Sequence, residues 1–298
     1  MIRKNIVRLL LYIFIVSVIV SGVQVSAATA VPSSYDKWGT SALGPGFPST
    51  VANYYKITKL CETKKENKKF TFTVISNEVK TNLYVTFPSI GGFRIFSDDS
   101  GYYEPDGIQK IRYKTETDGS IRMSAQDGTT VIFEKSGETF SLKVFNSEEK
   151  QLFRITSDQI AFGYSRGKLA KIKFEMPLSE KESIYGTGER FNELEQVGKR
   201  LLMWNVDCGY HGAANAEFWR GYKNIPLLYS NRGYTLFYNS FYSASIDIGY
   251  TDSNKYTMDF GGPEFDIYFW TGTPRDNVQA YTKLTGVTVL LPKWAYQY

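Results

Sequence analysis

The sequence predicts an all-β fold, a two-sheet antiparallel β-sandwich, with one helix near its C-terminal end. Three observations predict it. Aromatic residues make up 16% of the 298 residues, including 22 Tyr and 20 Phe, and these side chains favour the pleated, half-buried surface of a sheet. Short segments that alternate apolar and polar residues follow one another from residue 54 onward, the period of two that sends every second side chain to one face. Turn residues separate these segments at the spacing of a sandwich. No fixed-length internal repeat interrupts the pattern.

The elements can be justified in chain order. Residues 1–27 read as a signal peptide. Arg3, Lys4 and Arg8 precede an apolar run over 9–20, and Val25-Ser26-Ala27 and Ala28-Thr29-Ala30 offer small residues for cleavage. No charge occurs between Arg8 and Asp36, so a retained membrane anchor is the competing reading. Cleavage predicts a secreted, extracellular protein with no membrane contact afterwards. Residues 28–53, rich in Pro, Gly and Ser, form a loose lead-in. The sandwich is expected over 54–273. Strands are predicted at FTFTVI (70–75), LYVTF (83–87), GFRIF (92–96), IRM (121–123), TVIF (130–133), FSLKVF (140–145) and LAKIKF (169–174). Lys135-Ser136-Gly137-Glu138 makes a hairpin turn, and Asn231-Arg232-Gly233 joins LLYS (227–230) to YTLFYN (234–239). FDIYFW (265–270) is a late apolar strand. A helix follows over 274–284: Thr273 caps it, Pro274 takes its first position, Val278, Tyr281 and Leu284 repeat at helical spacing, and Gly286 ends it. With its connector it occupies 274–291. Trp294-Ala295-Tyr296-Gln297-Tyr298 is expected to open a further strand.

Composition and charge exclude several functions. An apolar fraction of 42% supports a sizeable core. Loss of Arg3, Lys4 and Arg8 takes the formal net charge from +5 to +2, which gives no argument for a nucleic-acid partner or an anionic membrane. The Lys64-Lys65-Glu66-Asn67-Lys68-Lys69 run reads as a solvated turn. His211 is the single histidine, so multi-histidine zinc sites are excluded. Neither a G-x-S-x-G elbow nor a glycine-rich phosphate loop occurs. No metal site and no organic cofactor are expected. Cys61 and Cys208 are the two cysteines; export permits a disulfide between them, and their spacing does not decide it.

One set of motifs is more specific. Ile184-Tyr185-Gly186-Thr187-Gly188-Glu189-Arg190-Phe191 resembles the YGLGERF signature of glycoside hydrolase family 31. Trp204-Asn205-Val206-Asp207 is similar to that family's W-N-x-D loop. Tyr222-Lys223-Asn224-Ile225-Pro226 and Ser230-Asn231-Arg232-Gly233-Tyr234 resemble its YKNIPF and SNRGY block. Gly272-Thr273-Pro274, Tyr281 to Gly286, and Leu291-Pro292-Lys293-Trp294-Ala295 resemble its helix entry, its LTG ending and the LPPKWA start of its barrel. The order and spacing of these motifs agree across 184–295.

The resemblance implies a galactose-mutarotase-like sandwich placed before a (β/α)8 barrel in a retaining α-glycosidase or α-transglycosylase. Such a barrel takes about 250 residues, so 292–298 are expected to be a stump of its first strand. The nucleophile and acid/base carboxylates, about 5 Å apart in a retaining enzyme, are implied to lie on the barrel, so no catalytic residue is assigned within this chain. An oligosaccharide is the implied substrate, and the chain's own C-terminal barrel the implied packing partner.

Four residues are candidates for substrate contact: Asp207, Trp204, Tyr210 and His211. By the resemblance, Asp207 reaches over the barrel mouth. A carboxylate accepts paired hydrogen bonds from vicinal hydroxyls, although Asp207 could instead cap its own turn. Trp204 reads either as a core residue or as a stacking platform. Tyr210 and His211 have no counterpart in the family pattern and would complete the wall. The segment 208–220, rich in Gly and Ala with interspersed aromatics, reads as a loop. Gly186 and Gly188 are expected to allow a tight bend, and Glu189 and Arg190 to form an internal ion pair or an interface contact rather than a sugar site. Competing readings are a free-standing sugar-binding module without catalysis, and an inert fragment with a bare apolar face.

Overall fold

The computed structural model describes residues 53–97, 107–165, 167–190, 193–205, 223–287 and 289–296. Its strands are numbered here in chain order. One sheet has eight strands, in the spatial order β13 (Ile184–Glu189), β15 (Lys223–Ser230), β16 (Tyr234–Tyr238), β19 (Asp266–Thr271), β5 (Phe93–Ser97), β4 (Val79–Thr86), β3 (Phe70–Ser76) and β2 (Lys59–Lys65). A second has six: β1 (Tyr54–Lys56), β11 (Ile160–Ser165), β12 (Lys168–Pro177), β18 (Lys255–Phe260), β17 (Ala244–Ile248) and β14 (Lys199–Met203). A third has five: β10 (Gln151–Thr156), β9 (Thr139–Phe145), β8 (Thr130–Ser136), β7 (Ile121–Ser124) and β6 (Arg112–Thr115). Every strand pairing among the described residues is antiparallel.

Aromatic contacts show how the three sheets make two layers. Phe72 of β3 lies 5.5 Å from Phe133 of β8 and 4.8 Å from Phe140 of β9. Phe174 of β12 meets Phe269 of β19 at 6.4 Å, and Phe153 of β10 meets it at 5.1 Å. The eight-stranded sheet is therefore one face of a continuous core, and the five- and six-stranded sheets divide the other. Their joint is a short 3-10 turn, Ser157–Gln159, between β10 and β11. The side chain of Gln159 accepts the Thr156 amide at 2.6 Å, so the chain changes sheets without leaving that donor unpaired. The sandwich is as expected; the division of one layer into two sheets is an addition.

The helix α1 (Pro274–Thr285) begins and ends as its sequence dictates. Thr273 Oγ1 accepts the Asp276 amide at 3.3 Å, and Gly286 closes it at φ 104°. It packs on the outer face of the eight-stranded sheet, where Ala280, Tyr281 and Leu284 meet Leu227, Phe237, Tyr268 and Trp270. One position differs from expectation: Val278 is exposed, and Asn277 is buried instead. Asn277 Nδ2 donates to Thr235 Oγ1 at 2.8 Å, and this bond fixes the rotation of the helix about its axis. No helix among the described residues is long and apolar enough to cross a membrane.

The expected strand at 294–298 is not seen in its described part. Lys293–Tyr296 form a 3-10 turn, with the Ala295 amide donating to Pro292 O at 2.9 Å. A strand needs a neighbour for its ladder, and no described strand lies beside this segment; a local turn satisfies the backbone instead. Val287, Val289, Leu290, Leu291 and Trp294 are exposed here.

A buried ion pair crosses the middle of the large sheet. Arg94 of β5 grips Asp266 of β19 through Nε–Oδ1 at 2.6 Å and Nη2–Oδ2 at 2.8 Å, with both side chains at most 2% exposed. Asn239 Nδ2 donates to the same carboxylate at 2.8 Å. Burial pushes the Asp266 carboxyl above the usual range, while Arg94 and Asn239 pull it down. Removing one partner strands the other charge, so Asp266→Ala is expected to lose about 3–5 kcal/mol of stability in urea unfolding. The paired Arg94→Met/Asp266→Leu variant is expected to recover most of that loss.

Candidate functional site

The motif-bearing segments converge where the chain leaves the six-stranded sheet and enters the eight-stranded one. β13 reaches this point through three successive residues in the left-handed region: Gly186 at φ 109°, Thr187 at 72° and Gly188 at 93°. The register explains why. Gly186 pairs with Leu228 and Gly188 with Asn224, so Thr187 alone faces residues 225–227 of β15. Pro226, which has no N–H to donate, sits in the resulting bulge. A Cβ on Gly186 would lie 2.2 Å from Leu227 O, and one on Gly188 2.0 Å from Lys223 O. Both positions exclude any side chain. Thr187 is fully buried and β-branched, and holding it at positive φ costs about 1–3 kcal/mol.

Arg190 follows directly and spends its donors on this corner. Its Nε donates to Thr187 Oγ1 at 3.1 Å. Its Nη2 reaches Asn224 Oδ1 at 2.5 Å, Met203 Sδ at 2.9 Å and Leu202 O at 3.2 Å. Asn205 completes the arrangement: its Oδ1 accepts the Asn224 amide at 2.7 Å and Asn224 Nδ2 at 2.8 Å. Glu189 and Lys223 form an ion pair at 3.1 Å, more than half exposed on both sides and so worth little. Residues 205 and 223–224 are thereby held together, at the two ends of 206–222.

Trp204 lies at this neck with 38% of its surface exposed, which removes the core reading of that residue. Asp207, Tyr210 and His211 lie outside the described residues, as does Cys208. Cys61, on β2, is a half-buried free thiol. Arg190 makes the internal contacts expected of it, whereas Glu189 differs from expectation: its ion pair with Lys223 lies at the surface. What the sequence did not disclose is the grouping of Arg190, Asn205, Asn224 and Thr187. All four stand inside the quoted motifs, but nothing in their spacing says that they meet.

Among the described residues the buried carboxylates are Glu182 and Asp266, and each is committed to its neighbours. Glu182 accepts from Ser230 Oγ at 2.5 Å and Tyr234 OH at 2.6 Å. Tyr234 in turn lies 3.2 Å from the Tyr256 hydroxyl, and burial, with Tyr256 and Glu182 beside it, pushes its phenol well above the ordinary value. Glu182 therefore ties the Asn231-Arg232-Gly233 turn to the core and is not poised as an acid or nucleophile.

The described strands form an antiparallel β-sandwich, and comparisons with known proteins give the family it belongs to. Residues 56–247 match the family described as Glycosyl hydrolase 31 N-terminal galactose mutarotase-like domain, and the chain belongs to that family. It is 24% identical over 237 residues to Alpha-glucosidase 2 of Bacillus thermoamyloliquefaciens, covering 77% of this chain and 29% of that one. It is 32% identical over 123 residues to an alpha-xylosidase of Emericella nidulans, covering 41% and 15%. The cycloalternan-forming enzyme of Listeria monocytogenes, solved with a pentasaccharide substrate, superposes with a TM-score of 0.70 at 18% identity, over 82% of this chain and 23% of that one. A family-31 dextranase of Flavobacterium johnsoniae, solved with isomaltotriose, gives 0.65 at 21% identity over 80% and 29%. The chain thus spans less than a third of each of these proteins.

Two glycine substitutions separate crowding from backbone strain. Gly188→Ala drives a Cβ into Lys223 O and is expected to cost about 3 kcal/mol or more. Gly233→Ala, at φ 92° with nothing within 4 Å, is expected to cost only about 1 kcal/mol. Urea midpoints of the two variants check the difference.

Proposed function

We propose that this domain serves an exported retaining α-glycosidase or α-transglycosylase acting on α-linked glucosyl or xylosyl oligosaccharides, and that its part is to hold sugar rather than to cleave it. The observation that carries this reading is the neck: the three motif segments meet there, and the four candidate residues lie at it or between its ends. In this reading Asp207 accepts hydrogen bonds from sugar hydroxyls, Trp204 offers a ring face to the apolar side of a sugar, and Tyr210 and His211 complete the wall. The nucleophile and acid/base come from a barrel packed against this sandwich. The exposed apolar run at 287–294 and the alpha-glucosidase and alpha-xylosidase relatives support that arrangement. The charged and apolar pattern of residues 1–27 supports export.

The test compares the purified chain with the same chain carrying the barrel sequence encoded after it, on isomalto-, malto- and xylosyl-oligosaccharides. The chain alone is expected to release no sugar, and the longer protein to release it. Asp207→Ala is expected to lower kcat/KM of the longer protein about 10- to 100-fold, the loss of one or two charge-assisted hydrogen bonds. Cleavage by the isolated chain, or an Asp207→Ala variant with unchanged kcat/KM, contradicts the reading. Firm oligosaccharide binding by the isolated chain favours a free-standing module instead.

A further inference from the structure

We propose that the loop of residues 239–243 is an α-glucan-binding surface, on which the Phe241 and Tyr242 rings stack against the apolar faces of glucosyl units. The inference rests on the functional reading above for the class of sugar, and it adds two residues that stand in none of the motifs.

The loop joins β16 of the eight-stranded sheet to β17 of the six-stranded one, and it is held at both ends. The Asn239 amide donates to Asp266 O and its Nδ2 to Asp266 Oδ2, each at 2.8 Å. The loop therefore hangs from the carboxylate that Arg94 grips. Ser240 Oγ accepts the Tyr242 amide at 3.2 Å, and Ser243 O accepts the Gly261 amide at 2.9 Å. A seat for one ring completes the brace. A Cβ on Gly262 would lie 2.1 Å from Cδ2 and 2.5 Å from Cγ of Tyr242. Gly262 is not among the glycines at positive φ, so what it provides here is room for that ring.

This braced loop presents apolar surface. Phe241 is 94% exposed and Tyr242 43%, and Phe241 is the most exposed large apolar side chain among the described residues. A ring left in water adds nothing to folding, and a loop ordered beforehand loses little entropy on binding. Register brings a third ring to the same end. Met203 pairs with Ala244, so the next step along the two strands sets Trp204 across from Ser243.

The chemistry selects the ligand. Ring faces carry the negative side of the aromatic quadrupole and suit the weakly positive C–H groups of a pyranose. Residues 239–243 and 261–265, joined by the Gly261–Ser243 bond, contain no Lys or Arg and include Glu264. That charge argues against an anionic polymer or an anionic membrane. The exposed side chains at 287–291 are Val and Leu, which pack against a protein without regard to flatness. The loop offers flat rings flanked by serine hydroxyls instead.

Affinity electrophoresis of the 298-residue chain, in native gels containing dextran or soluble amylose, tests the proposal. At least one polymer is expected to retard the chain, with a dissociation constant of about 1 mM or weaker, because an open surface buries only one side of a sugar. That is well short of the firm binding of a free-standing module. Phe241→Ala is expected to weaken retardation about fivefold, and Phe241→Trp to restore or exceed it. Phe241→Leu keeps apolar area without a ring face and is expected to behave like the alanine variant. Gly262→Ala, which unseats Tyr242 while Phe241 remains, is expected to weaken retardation as well; unchanged urea midpoints check that the fold is intact. No retardation of the native chain by either polymer, or a leucine variant that binds as well as the native chain, overturns the proposal. Self-association that Phe241→Ala abolishes identifies the ring as a contact between copies and overturns it too. The functional reading fails separately, when the barrel-bearing protein releases no sugar; ring-dependent retardation then still upholds the surface.

Discussion

The structure turns on a mismatch between two strands. Opposite Gly186 and Gly188 the chain of β15 carries two more residues than β13, and the excess is absorbed by three consecutive residues at positive φ. Two of them must be glycine because a backbone carbonyl lies within 2.2 Å of any Cβ they could carry. The third, Thr187, holds the unfavourable conformation and presents its hydroxyl to Arg190. The direction of Arg190, the placement of Asn224 and the grip of Asn205 all follow from that break. A regular ladder at this point would leave the ends of 206–222 without their shared anchor.

The rest of the molecule makes that break affordable. A continuous aromatic core joins the eight-stranded sheet to both sheets of the opposite layer. The Arg94–Asp266 pair binds β5 to β19 at the centre of the large sheet, and α1 covers that sheet's outer face through Tyr281, Leu284 and the Asn277–Thr235 bond. The buried acids are used in this framework. Among the described residues, Glu182 anchors a turn and Asp266 neutralises an arginine, so both buried carboxylates serve the architecture.

Much of the fold was legible because period-two alternation and turn residues are local signals. Strands such as 70–75 and 140–145 and the helix from Pro274 follow from their own residues. The misses are non-local. Val278 sits at helical spacing with Tyr281 and Leu284, yet Asn277 takes the buried position because Thr235, on another strand, offers it a partner. The strand expected at 294–298 has no neighbouring ladder among the described residues, so 293–296 turn instead. The hairpin between β3 and β4 uses Asn77 and Glu78, both at positive φ; asparagine tolerates that region, but a glutamate there gives no warning. The candidate site was legible as motifs and illegible as geometry: Arg190, Asn205 and Asn224 are separated in sequence, and only the strand register brings them together.

The central claim is that this corner holds a sugar-contacting segment in place. A crystal structure of the barrel-bearing protein with a bound isomalto-oligosaccharide tests it most directly. The account predicts the Asp207 carboxylate within hydrogen-bond distance of a sugar hydroxyl, with the Arg190–Asn224 and Asn205–Asn224 bonds intact beneath it. A sugar bound in the active site with no atom of residues 204–211 in contact would contradict it.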